Sequence, residues 1–176
     1  MRKLSHKEIA RQRYTIEQLK EEKRFPVYVL LDNIRSLYNV GSIFRTADGA
    51  RAAKLFLCGF TPYPPRKEIE KTALGATQTV PWEYHKDPIA LLNHLKSEGI
   101  RICALEHTDK SIPYYELSGE TFPICLIVGN EITGISKELI TEADIAVDIP
   151  MYGMKQSLNA AVAFGIAIFE FVKKQK

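Results

Sequence analysis

Three segments of this 176-residue chain place polar, charged and glycine residues where they could do chemistry. The first, residues 33–47, holds Arg35, Asn39 and Arg45. A guanidinium fork matches phosphate oxygens in geometry and charge, so Arg35 and Arg45 could meet a phosphate. Equally, Asn39 could cap a helix beginning near Val40, with Arg45 a plain surface cation on it. In the second segment, residues 129–136, Gly129 and Gly134 permit close backbone approach or positive φ. Glu131 could accept hydrogen bonds there from a hydroxyl or an amine, although an ordinary strand-to-helix connection would look the same. The third, residues 149–163, sets Ser157 and Asn159 at the mouth of an apolar helix. Asn is a poor helix former, and a buried amide must be hydrogen-bonded. Asn159 is therefore expected to be buried and either to tie down another loop or to face a ligand, a neutral surface Asn being the alternative.

Several chemistries find no support. No GxxxxGK[ST] segment is present for an NTPase phosphate cradle, and no GxGxxG follows any predicted strand. His6, His85, His94 and His107 lack metal-ligand spacing, so no metal is expected. Ser157 has no nucleophile-elbow context. Cys58, Cys103 and Cys125 are odd in number, lack CxxC spacing and sit in apolar runs, as reduced, buried thiols of a cytoplasmic protein would.

The elements that must position the three segments follow from the hydrophobic pattern. Residues 27–31, 54–58, 100–105, 123–128 and 145–149 read as strands, several of them continuously apolar as strands covered on both faces are. Between them, 42–48, 67–74, 88–98 and 136–143 read as helices, and 157–174 is the longest, with Ser157 placed to cap it. Strand and helix in alternation predict an α/β fold with a mainly parallel sheet flanked by helices. In such sheets ligands bind outside the carboxyl ends of the strands, where all three segments fall.

Composition agrees: 45% apolar and 26% charged residues exclude disordered and fibrous classes. The run from Ala160 to Phe169 is too short to span a bilayer, so no membrane partner is expected. Arg2 and Lys3 are followed by no apolar stretch, which predicts no secretory signal. Charge is uneven. Residues 1–24 carry eight Lys/Arg against four Glu, a net +4, whereas the whole chain is +3 and the remainder is therefore −1. This arm reads as a basic helical extension, with Ser5 and Glu8 at capping-box spacing. It could bind an anion such as nucleic acid, or be a solvated surface helix.

Taken in order, 39–47 (Asn-Val-Gly-Ser-Ile-Phe-Arg-Thr-Ala), 127–134 (Ile-Val-Gly-Asn-Glu-Ile-Thr-Gly) and 149–159 resemble the three signatures of the SpoU-TrmH family of the SPOUT superfamily, RNA 2′-O-ribose methyltransferases. Residues 71–76, ending Leu-Gly-Ala, resemble a further family feature. The likeness extends over 27–172, so 25–176 is expected to be one SPOUT methyltransferase domain and 1–24 an appendage. The resemblance implies a trefoil knot at the C-terminus, S-adenosyl-L-methionine bound in it, and a homodimer. It assigns the cofactor to Leu105, Glu106, Gly129, Ile149, Met151 and Leu158, and catalysis to Arg45 with Asn39, Glu131, Ser157 and Asn159. Arg35 and Arg45 are expected on the RNA, which could be tRNA or rRNA. A non-catalytic RNA-binding or assembly protein that keeps the fold is the alternative. The last helix, apolar around most of its circumference, has more apolar face than one sheet needs to cover. The excess could serve a two-fold interface or be buried by other parts of the chain.

Overall fold

The computed structural model describes residues 1–11 and 13–176. Seven strands form one sheet: β1 (Phe25–Asp32), β2 (Ala52–Cys58), β3 (Trp82–His85), β4 (Arg101–Leu105), β5 (Ile112–Pro113), β6 (Ile124–Val128) and β7 (Ile145–Asp148). Their order is β3-β2-β1-β6-β4-β7-β5, and every neighbouring pair is parallel. Among the described residues the helices are α1 (His6–Arg11), α2 (Ile16–Glu21), α3 (Leu37–Gly49), α4 (Lys67–Ala73), α5 (Pro88–Ser97), α6 (Lys137–Glu142) and α7 (Ala160–Lys173).

The central strands are apolar on both faces because both are covered. On β1, Val27, Val29 and Leu31 join the core shared with α3, α4 and α7, while Leu30 joins the core shared with α5 and α6. On β6, Leu126 and Ile127 divide in the same way. Each such Leu or Ile side chain contributes about 1.5–3 kcal/mol by leaving water. Since all strands run one way, all their carboxyl ends open onto one edge, and the three chemical segments leave β1, β6 and β7 there.

Five strands agree with the sequence reading. It missed β3, an edge strand whose Trp-Glu-Tyr-His sequence carries no apolar run, and β5, which is only two residues long. Two helix starts also differ. The cap of α3 is Ser36, whose hydroxyl accepts the Asn39 N–H at 3.3 Å, so Asn39 lies in the first turn with its side chain free to reach elsewhere. The last helix starts at Ala160 and is capped by Asn159, not Ser157.

The arm is helical in two pieces. Ser5 and Glu8 do form a capping box, with Ser5 N–H to Glu8 Oε2 at 2.8 Å and Glu8 N–H to Ser5 Oγ at 3.3 Å. A second box, Thr15 with Gln18, starts α2. Beyond it the chain is fastened to the body. The Arg24 guanidinium donates to the carbonyls of Ala52 (3.1 Å) and Thr79 (2.6 Å), and Arg51 pairs with Glu22 at 2.9 Å. The whole positive excess of the arm lies in residues 1–13, where five Lys/Arg face one Glu.

Candidate active site

At the carboxyl edge, the segments following β4, β6 and β7 enclose a cleft of about 210 Å³. Leu105, Glu106, Gly129, Ile149, Met151 and Leu158 all line it, as do Glu131 and Ser157. Its walls are largely apolar, with Ala160 and Ala163 of α7 closing one side. The loop after β6 is pressed tightly into place. A Cβ on Gly129 would collide with the backbone of Gly134 and Ile135, and Gly134 sits at φ +70 with its α-carbon against the Glu106 carboxylate. That carboxylate is fixed by two amides, accepting from Ile135 N–H (Oε2, 3.1 Å) and His107 N–H (Oε1, 3.1 Å).

Glu131 joins the first segment to the second. Its Oε2 accepts the Arg35 N–H at 2.9 Å, and its Oε1 accepts the Ser36 N–H at 3.1 Å and the Asn39 side-chain amide at 2.8 Å. Burial alone would push this carboxyl up; the donors from Arg35, Asn39 and Ser36 outweigh that and hold it below the usual carboxylate range. The partners of Glu131 are thus the chain's own N–H groups. Asn39 passes the connection on, its Oδ1 accepting from Asn159 Nδ2 at 3.1 Å. Asn159 Oδ1 in turn accepts Ala161 N–H (3.0 Å) and Val162 N–H (3.4 Å) to cap α7. Asn159 is exposed, contrary to the burial expected of it, because it lies at the helix mouth and not within the apolar helix. The loop-fixing half of that expectation holds.

The geometry therefore brings Asn39, Glu131 and Asn159 into one hydrogen-bonded chain beside the cleft, with Ser157 on the cleft wall. It does not bring Arg45 there. Arg45 stands exposed on α3, lines no described cleft and makes no hydrogen bond or ion pair with any described residue. Arg35 is exposed as well, its backbone held by Glu131.

Two positions that sequence reasoning missed hold the loops at a deeper level. Asp32 is 1% exposed; its Oδ2 accepts Ser136 N–H at 2.8 Å and its Oδ1 the Asn33 amide at 2.7 Å. Asn130 donates to the Asn33 carbonyl at 2.7 Å and accepts from Ile132 and Thr133. The signal for Asp32 was available, since an acid closing an apolar strand must find donors. The three cysteines are free and buried, and burial pushes the Cys58 and Cys103 thiols up to about 12. Among the described residues no cluster of His, Cys, Asp or Glu could hold a metal ion, and no helix is long and apolar enough to cross a membrane.

A parallel α/β sheet whose carboxyl edge carries a cleft lined by apolar and polar residues, beside a chain of amides and a carboxylate, has the arrangement of α/β folds that bind ligands at that edge. The chain belongs to the SpoU rRNA Methylase family, whose model matches residues 26–169. It is 32% identical over 162 residues to a tRNA (guanosine(18)-2′-O)-methyltransferase of Aquifex aeolicus, covering 92% of this chain and 75% of that protein. To the enzyme of that name from Escherichia coli it is 30% identical over 148 residues, 84% of this chain and 63% of the relative. A solved structure of an AdoMet-bound rRNA methyltransferase from Sinorhizobium meliloti matches with a TM-score of 0.80 at 32% identity, covering 92% of this chain and 61% of that one. The chain thus spans less than two thirds of the last two proteins.

Proposed function

We propose that this protein is an S-adenosyl-L-methionine-dependent RNA methyltransferase acting on a ribose 2′-hydroxyl of tRNA or rRNA. The observation that carries the reading is that the six residues assigned to the cofactor by family resemblance line one cleft, and that cleft abuts the Glu131–Asn39–Asn159 chain. The donor set suits the group. Main-chain N–H and C=O groups of Met151 and Leu158 have no hydrogen-bond partner among the described residues, so they are free for a purine edge between apolar walls. Bound there, S-adenosyl-L-methionine supplies an electrophilic methyl group.

The chain's own part is to hold and activate the RNA hydroxyl. A ribose hydroxyl is a weak nucleophile that needs orientation and help in losing its proton. Arg45, permanently charged, clamps the adjacent phosphate and lowers the hydroxyl pKa electrostatically. Asn39, Glu131 and Asn159 fix the loops on which this depends, with Ser157 on the cleft wall. Arg45→Lys keeps the charge and loses the fork; turnover is expected to fall at least about tenfold, since the bidentate geometry is not replaced. Near-native turnover in a methyl-transfer assay would count against the clamp.

Because Arg45 is not in the cleft of its own chain, we propose that a second copy completes the site as a homodimer. Val162 and Phe169 support this, each about half exposed on the outer face of α7. A C-terminal trefoil knot belongs to the same reading. In its support, the 106–111 link joins β4 to β5, which lie on either side of β7, an order compatible with such a crossing. A cytoplasmic location goes with the buried free thiols. Residues 1–13 add phosphate affinity, and deleting them is expected to reduce the salt slope of RNA binding by about 1 or more. Identical slopes would remove the arm from RNA recognition.

Isothermal titration with S-adenosyl-L-methionine, followed by mapping of ribose methylation in total RNA with and without the protein, tests the whole reading. A folded protein that binds no cofactor would leave the non-catalytic RNA-binding alternative standing.

A further inference from the structure

The carboxyl edge continues past Arg35 onto a second surface. Chain leaving β1 and β2 there, with Tyr84 of β3, builds a shallow concavity lined by Arg35, Leu37, Phe60, Tyr63, Arg66 and Tyr84. Phe60 is 62% exposed, Tyr63 43% and Tyr84 39%. Three rings left to water on one patch lose the burial that would stabilise them and mark a surface built for contact.

The rings are held in place. Tyr63 stands 4.7 Å from Tyr84 and 6.5 Å from Trp82, centroid to centroid. The Tyr84 hydroxyl donates to the Gly59 carbonyl at 2.8 Å, and the Phe60 N–H donates to Asn33 Oδ1 at 3.0 Å. Gly59 has φ +62, and a Cβ there would collide with the Asn33 amide, so the turn that presents Phe60 is tightly seated. Beside the rings stand two exposed guanidiniums. Neither Arg35 nor Arg66 makes a side-chain hydrogen bond or ion pair with any described residue, and Arg66 occupies the cap position of α4 without capping it. Glu83, the carboxylate next to Tyr84 in sequence, is paired with Lys54 and His85.

Aromatic faces beside unpaired cations match a polymer that presents flat π-systems joined by anions. Unpaired RNA does so, whereas a duplex hides its base faces in its own stack. The patch and the cleft are also rigidly joined, since Glu131 at the cleft holds the backbone of Arg35 at the patch. We infer that this concavity is a stacking platform for unpaired nucleotides flanking the one offered to the cleft. The inference rests on the RNA methyltransferase reading and adds to it a preference for single-stranded context around the target.

The test uses the full chain, native, Phe60→Ala and Phe60→Trp, with a single-stranded RNA of about 12 nucleotides carrying 2-aminopurine and the same sequence as a blunt duplex. The native protein is expected to change the fluorescence of the single strand and to bind it more tightly than the duplex. Phe60→Ala is expected to weaken single-strand binding about tenfold and leave duplex binding within about twofold; Phe60→Trp, which keeps a π face, restores it. Equal weakening on both RNAs, no weakening on either, or a change in sedimentation of the free Phe60→Ala protein that marks the patch as a contact between copies would each overturn the inference. Cofactor titration of the same three proteins separates the two readings. A native protein without cofactor affinity defeats the methyltransferase reading, whereas the RNA comparison decides the platform by itself.

Discussion

Asn159→Asp is expected to leave the protein as stable as the native chain and to lower turnover about a hundredfold, the scale of loss when a reacting group is displaced by about 1 Å. The side chain has two separable duties. Its oxygen caps α7 through Ala161 and Val162, and its nitrogen donates to Asn39 Oδ1. An aspartate keeps the acceptor and is favoured by the helix dipole, but has no N–H for Asn39. Asn159→Ala loses both duties, so the same fall in turnover should come with about 1 kcal/mol of lost stability. Urea unfolding and single-turnover methyl transfer measure the two effects independently. A fully active Asn159→Asp protein would reduce this residue to a helix cap.

Gly129→Ala should act on the cleft itself. The added methyl meets the backbone of Gly134 and Ile135 and not the far end of a flexible side chain, so the whole turn has to shift. Overpacking of this kind costs about 1–3 kcal/mol, and the turn that moves is a wall of the cleft. Affinity for S-adenosyl-L-methionine is expected to fall at least about tenfold, an energy of about 1.4 kcal/mol. Gly153→Ala is the matched control. It lies in the segment after β7 with no atom within 4 Å of the added carbon, and both stability and affinity should remain near native. Calorimetry showing unchanged affinity in Gly129→Ala would remove the loop after β6 from cofactor binding.

The features legible in the sequence were those written in local pattern. The apolar runs of β1, β2, β4, β6 and β7 revealed the parallel sheet, most clearly in β1 and β6, since strands buried on two faces cannot hide their composition. Strand β3 was illegible because an edge strand can alternate charged and aromatic residues freely. The start of α7 was misplaced because two polar residues at its mouth, Ser157 and Asn159, could each cap, and only the reach to Asn39 selects Asn159. Glu131 was recognised as an acceptor, but its donors lie more than ninety positions away along the chain, beyond any local pattern. Arg45 is the reverse case: its importance was read from resemblance to family signatures, and the fold of one chain leaves it outside the cleft.

The link between Asn39 and Asn159 spans 120 positions, so the first and last of the three loops are fastened by a bond that cannot exist until synthesis has passed Asn159. A ribosome still translating this message holds a product with most of its sheet and none of its completed pocket. The closing wall of the cleft, from Ser157 to Ala163, is thereby supplied only after every strand of the sheet.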